Sequence, residues 1–148
     1  MRARGKSIVS SYAHMWPRAV FAEAPQVETN ENRKAKADAV SFLDNPGVYV
    51  LYRGDPPTPC YVGQGDRLRS CLKRRALSPR SMRFLSWNFF SAFVVPNKSH
   101  RNDLQAILMA IGGPMEDGAK PQLAEQKMPK WVCDLPRDLH SHHLLEAA

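Results

Sequence analysis

The tightest constraint on this chain is a pair of short β-prone runs on either side of a turn-rich loop. Val48-Tyr49-Val50-Leu51-Tyr52 is β-branched and aromatic except at Leu51, and Asn45-Pro46-Gly47 stands directly before it. Arg53-Gly54-Asp55-Pro56-Pro57-Thr58-Pro59 supplies turn formers, and Cys60-Tyr61-Val62 follows, closed by Gly63 and Gly65. The pattern predicts a β-hairpin. A hairpin needs further elements to cover it, and the flanking sequence offers them.

Lys36, Ala39, Val40 and Leu43 recur at helical spacing, so a helix is expected over 32–43, stopped at Asn45-Pro46-Gly47. After the hairpin, Asp66 is placed to cap a helix in which Leu68 and Leu72 form an i, i+4 apolar pair and basic residues take the other faces. A strand from Trp87 to Val95 carries Phe89, Phe90, Phe93, Val94 and Val95. Being apolar on both sides, it belongs in the centre of the sheet, and Pro96 ends it. Ser99 reads as the N-cap of the next helix, with Asp103 in or near its first turn and Leu104, Ile107, Leu108 and Ile111 as the buried stripe. Gly112-Gly113-Pro114 terminates it.

These elements predict a small α/β (α+β) domain over 31–125. Residues 1–30 read as an irregular N-terminal extension, with a short strand at 7–12, because Pro17 and Pro25 break any period. Residues 126–148 form a C-terminal tail in which Trp131 and Val132 pack on the domain and 137–146 form a short helix. The 148 residues suit one domain, and 43% hydrophobic with 24% charged residues suits a globular one. No apolar run approaches the roughly 20 residues of a membrane-spanning helix. The basic start Met1-Arg2-Ala3-Arg4-Gly5-Lys6 lacks the apolar stretch of a secretory signal, because Tyr12, His14, Pro17 and Arg18 interrupt it. Cys60, Cys71 and Cys133 are odd in number and form no CxxC pair, so a reducing cytoplasm is the expected location.

The formal net charge is +7, and it has an address. Arg67, Arg69, Lys73, Arg74, Arg75, Arg80 and Arg83, against Asp66 alone, give residues 66–83 a charge of +6. Charge concentrated in this way is what a polyphosphate partner requires, since each neutralised phosphate releases condensed counterions. A solvated helix face is the plainer explanation of the same residues.

Gly47-Val48-Tyr49, then eleven residues, then Tyr61-Val62-Gly63, then a basic helix, resembles the GIY-YIG endonuclease family. The order of hairpin, helix, strand and helix agrees, and Leu43-Asp44-Asn45-Pro46-Gly47 looks like the usual approach to the first motif. The resemblance covers about 40–123. It implies a three-stranded antiparallel sheet flanked by helices, with a nucleic-acid cleft that binds DNA or another nucleic acid. It also implies cleavage of a phosphodiester by a metal ion, usually Mg2+, and an activated water. Tyr49, Tyr61 and Gly63 match the family's catalytic positions. A tyrosine would take a proton from the nucleophile, and glycine would let the backbone approach the phosphate.

Three further family positions are degenerate in this chain. The arginine eight residues after the second glycine is Cys71, the glutamate of the later helix is Gln105, and the asparagine after Pro121-Gln122-Leu123 is Ala124. Glutamine brings no charge for a hard cation, and cysteine cannot clamp a phosphate in two places. The resemblance therefore implies nucleic-acid binding through Arg67, Arg69, Lys73, Arg74 and Arg75, with cleavage weak or lost. One alternative is an active metal-dependent endonuclease with relocated groups. Arg67 and Arg75, at i−4 and i+4 of Cys71, and Glu116 are its candidates. The other is a protein-binding module whose basic helix docks an acidic partner.

Cys71 has no paired histidine in its sequence context to activate it as a nucleophile. His100 precedes the later helix, where an exposed histidine in a capping region is the common case. His140, His142 and His143 lack a carboxylate or cysteine to complete a metal set, so no metal ligands are assigned.

Overall fold

The computed structural model describes residues 7–22, 34, 38–77, 86–113, 115 and 117–136. Strand β1 is Ser11–Pro17, followed by a single helical turn, α1, at Ala19–Ala22. Of the helix expected over 32–43, residues 38–40 are helical and Ser41–Asp44 form a 3-10 turn with Leu43 buried beneath it. The hairpin forms as expected, from β2 at Gly47–Arg53 and β3 at Thr58–Gly65. Helix α2 spans Leu68–Leu77, strand β4 Phe89–Val94 and helix α3 Lys98–Gly112, and α4 is one turn at Lys130–Cys133.

The four strands form one antiparallel sheet in the order β1-β4-β2-β3. β4 is interior, which agrees with its two apolar faces. The sheet has one strand more than expected. The extra strand is β1, which lies within the stretch read as mostly irregular and is displaced from the expected 7–12. Its residues are a poor strand by composition, and its register on β4 shifts between Ala13 and Trp16, with Met15 at φ 53°. Contacts with β4 hold it in place. Ser10 N donates to Val94 O (3.0 Å), Met15 N donates to Ser91 Oγ (3.1 Å), and Trp16 meets Phe90 edge-on.

Alternation along β2 divides the core in two. Tyr49 and Leu51 face α2 and the 3-10 turn, in a cluster with Leu43, Leu68, Leu72, Trp87 and Phe90. Val48 and Val50, joined by Val62 of β3, face α3 through Met109, Leu104 and Leu108.

Helix α3 differs from expectation in its start and its buried face. Its N-cap is Asn97, whose Oδ1 accepts from Ser99 N (2.9 Å) and His100 N (3.4 Å). Asp103 therefore lies beyond the first turn. The helix is also rotated from the expected stripe. Ile107 is 47% and Ile111 78% exposed, while Arg101, Ala106 and Met109 are buried and Leu104 and Leu108 are half-buried. Arg101 sets this rotation. Its Nη1 donates to the carbonyls of Val95 and Pro96 (3.3 Å each) and its Nη2 donates to Asp66 Oδ1 (3.2 Å). That drives the row Arg101, Gln105, Met109 inward. Asp66 thus meets an arginine of α3.

Trp131, expected to pack, is 69% exposed on α4. Glu116, Arg80, Arg83, the helix expected over 137–146 and His140, His142 and His143 lie outside the described residues. No helix among the described residues is long and apolar enough to cross a membrane.

The cap assignment is testable. Asn97→Ala should lower unfolding stability by about 1 kcal/mol, and Ser99→Ala should cost clearly less, in urea denaturation. The reverse order would restore Ser99 as the cap.

Candidate functional site

The site grows from the pairing of Tyr49 with Gly63, directly opposite one another on β2 and β3. The Tyr49 ring lies over the glycine. A Cβ on Gly63 would come within 2.6 Å of Tyr49 Cζ and Oη. Gly65 repeats the arrangement, because a Cβ there would stand 2.4 Å from Cys71 Sγ of α2. Both glycines lie inside β3, and the space above them is taken by this chain's own side chains. The motif resemblance alone implies instead that glycine here lets the backbone approach a phosphate.

Tyr61 shares the face of Gly63 and Gly65. Its ring centroid is 6.0 Å from that of Tyr49, at an interplanar angle of 42°. Helix α2 lays Arg75 over this pair. The guanidinium carbon is 4.9 Å from the Tyr61 ring centroid, Nη2 donates to Tyr61 Oη (3.1 Å), and the side chain also bonds Tyr49. Trp87, buried below, donates from Nε1 to Arg75 O (3.3 Å) and ties that turn of helix to the core.

Electrostatics follow from burial. Tyr49 is 2% exposed, and its hydroxyl is pushed up to about 12. Burial is the main cause, Tyr61 and Cys71 add to it, and the bond and charge of Arg75 pull the other way. Burial alone would lower Arg75, but its bonds to Tyr49 and Tyr61 outweigh that and hold its pKa above the ordinary value. The site at neutral pH is thus one permanent cation resting on a neutral Tyr49 phenol. Tyr49 is poorly matched to proton abstraction, which works best when the pKa lies near the operating pH. Cys60 is buried in the same cluster, and burial pushes its thiol up as well.

Tyr49, Tyr61, Gly63, Cys71 and Arg75 therefore come together. The other expected residues do not join them. Gln105 lies on the α3 side of the sheet, opposite the face of Tyr49. There its Nε2 donates to Val62 O (3.3 Å) and its Oε1 accepts from Gln64 (2.6 Å). Ala124 is exposed in a segment without helix or strand. Arg67, a candidate for relocation, is drawn onto Asp44 through Nε (3.2 Å) and Nη2 (3.0 Å), and Arg69 reaches the same carboxylate at 3.6 Å. Lys73 and Arg74 are exposed on the outer side of α2. Arg101 and Gln64 were not identified from sequence. Their spacing offered one signal, since Arg101 is one turn before Gln105 on the same helical row.

No family model matches the chain, and no curated protein matches it. Two solved structures are similar, both of the GIY-YIG N-terminal endonuclease domain of UvrC from Thermotoga maritima, as two point variants bound to their catalytic divalent cation. Each has 22% sequence identity and a TM-score of 0.40, and the match covers 57% of this chain and 92% of theirs.

The divalent cation implied by the motif resemblance does not fit this site. Among the described residues, the groups that the contacts above bring to the phenols are two hydroxyls, a thiol and a guanidinium. Hard cations bind chiefly through carboxylate and carbonyl oxygen, and a fixed positive charge repels them. Among the described residues no group of three His, Cys, Asp or Glu side chains stands close enough to hold a metal. The acids nearest the motifs in sequence, Asp44 and Asp66, are both paired with arginines.

The raised Tyr49 pKa has a signed consequence. A phenol at about 12 when folded and 10.0 when unfolded contributes stability that is complete below pH 10 and lost as pH rises toward 12. Unfolding free energy of the wild type should fall across that window, and Tyr49→Phe should show a shallower fall. Tyrosinate absorbance should lose its highest-pH step in the same variant.

Proposed function

We propose that this chain is a GIY-YIG-like domain that binds nucleic acid, DNA foremost, through α2, and that phosphodiester cleavage is weak or lost in it. The observation that carries this reading is Arg75 laid across Tyr61 and bonded to Tyr49 on the helix that bears Lys73 and Arg74. A guanidinium held in a fixed plane is a phosphate ligand, and Lys73 and Arg74 extend its charge along the exposed side of the same helix. What cleavage needs beyond this is a metal-holding carboxylate and a base near neutrality. Gln105 stands at the family's glutamate position and is occupied with Val62 O and Gln64, and Tyr49 titrates far above neutrality. The three free thiols support a reducing compartment such as the cytoplasm.

Fluorescence anisotropy with labelled DNA tests the binding. If Lys73, Arg74 and Arg75 neutralise three phosphates, affinity should fall about 20–40-fold between 50 and 200 mM salt. Lys73→Ala with Arg74→Ala should flatten that slope by about two phosphates. Binding that ignores salt contradicts the reading and favours a module docking another kind of partner. Plasmid nicking with Mg2+ or Mn2+ should be absent or slight, and robust nicking abolished by Tyr61→Phe would make the chain an active nuclease.

A further inference from the structure

Asp44 ends the 3-10 turn ahead of β2, and its carboxylate faces the start of α2. Oδ1 accepts from Arg67 Nε (3.2 Å) and Nη2 (3.0 Å), and Oδ2 stands 3.6 Å from Arg69 Nη1. One carboxylate thus holds two guanidiniums, one on each oxygen. All three side chains are accessible to water, Arg67 at 58% exposure and Asp44 and Arg69 at 36% each.

Ion pairs this open are weak. Water screens the attraction, and holding long side chains in one geometry costs entropy. As a strut between the turn and α2 the carboxylate adds little. The two are already tied by Leu68 N donating to Asn45 O (3.0 Å) and by Leu43 and Leu68 in the buried cluster. Its chemistry suits exchange. A carboxylate carries one negative charge on two oxygens. A phosphodiester does the same through its two non-bridging oxygens, and guanidinium is a ligand for both. A backbone phosphate can therefore replace Asp44 between Arg67 and Arg69 without changing the charge those arginines meet. Arg69 also stands one turn before Lys73 on the same face of α2. The rise between them is about 6 Å, the scale of one or two phosphate steps along a strand.

We infer that Arg67 and Arg69 form a second phosphate-binding point, and that Asp44 occupies it until a nucleic-acid phosphate displaces the carboxylate. Asp44 then restrains affinity. Each binding event breaks its pairs and leaves a negative charge beside the strand. The inference rests on the nucleic-acid binding through α2 proposed above, and adds to it a contact and the residue that holds that contact back.

Salt titrations of labelled duplex DNA against the full chain, followed by fluorescence anisotropy, test it. Asp44→Asn removes the charge at nearly constant size. It should tighten binding by up to about fivefold at moderate salt, the scale of an exposed ion pair. It should also steepen the dependence of log affinity on log salt by about 0.9, one further phosphate. Asp55→Asn removes the same charge from the exposed hairpin loop, controls for net charge, and should do clearly less. Arg67→Ala with Arg69→Ala should cost more affinity in the Asp44→Asn background than in the wild type, because the carboxylate no longer competes there. Asp44→Ser is a second variant should asparagine disturb the turn. If the wild type binds and both Asp44 variants behave as Asp55→Asn does, this inference is overturned and the binding proposal stands. A gain that survives removal of both arginines also overturns it, because Asp44 then opposes some other cation. Absence of binding by wild type and variants alike overturns both.

Discussion

The contact on which the site depends is Arg75 against Tyr61 and Tyr49. It draws together three features separate in the sequence: a hairpin that places the two phenols on one face, a glycine that lets Tyr49 lie flat on its partner strand, and a helix whose last turn is pinned by Trp87. The guanidinium is half-buried, so its charge must be met locally, and phenol oxygen and the Tyr61 ring face are among the groups that meet it. A cation so placed repels a second cation.

Much of the fold was legible because short-range chemistry dictated it. The hairpin could be read from turn formers bracketing two β-branched and aromatic runs, and β4 from its two apolar faces. The first strand was expected at 7–12 and lies at Ser11–Pro17 because that stretch has little strand character of its own, and its place comes from β4 backbone and Ser91 across the sheet. The face of α3 was misjudged for a similar reason. Leu104, Ile107, Leu108 and Ile111 form a genuine apolar stripe, but a buried arginine does not announce itself, and Arg101 turned the helix to reach Val95, Pro96 and Asp66.

The phenol pair shares a face because the register shift between Leu51 and Tyr52 sets Tyr49 opposite Gly63, a detail that the motif spacing alone does not fix. The choice among arginines could not be read from spacing either. Arg67 and Arg75 flank Cys71 symmetrically along α2, and the decision lies with Asp44, which captures Arg67 at the start of the helix and leaves Arg75 to the phenols. The position of Gln105 likewise depends on the rotation of α3. Once Arg101 faces inward, Gln105 meets the backbone of β3 and the Gln64 side chain.

A double-mutant cycle between Tyr61→Phe and Arg75→Ala, read as unfolding free energy in urea, tests the central contact most directly. Phenylalanine keeps the ring and removes only the hydroxyl, so the cycle isolates the bond to the guanidinium. A coupling of about 1 kcal/mol is expected for a half-buried hydrogen bond to a charged group. Additive effects, within about 0.3 kcal/mol, would show that the Tyr61 hydroxyl does not hold Arg75 and would contradict the account of the site.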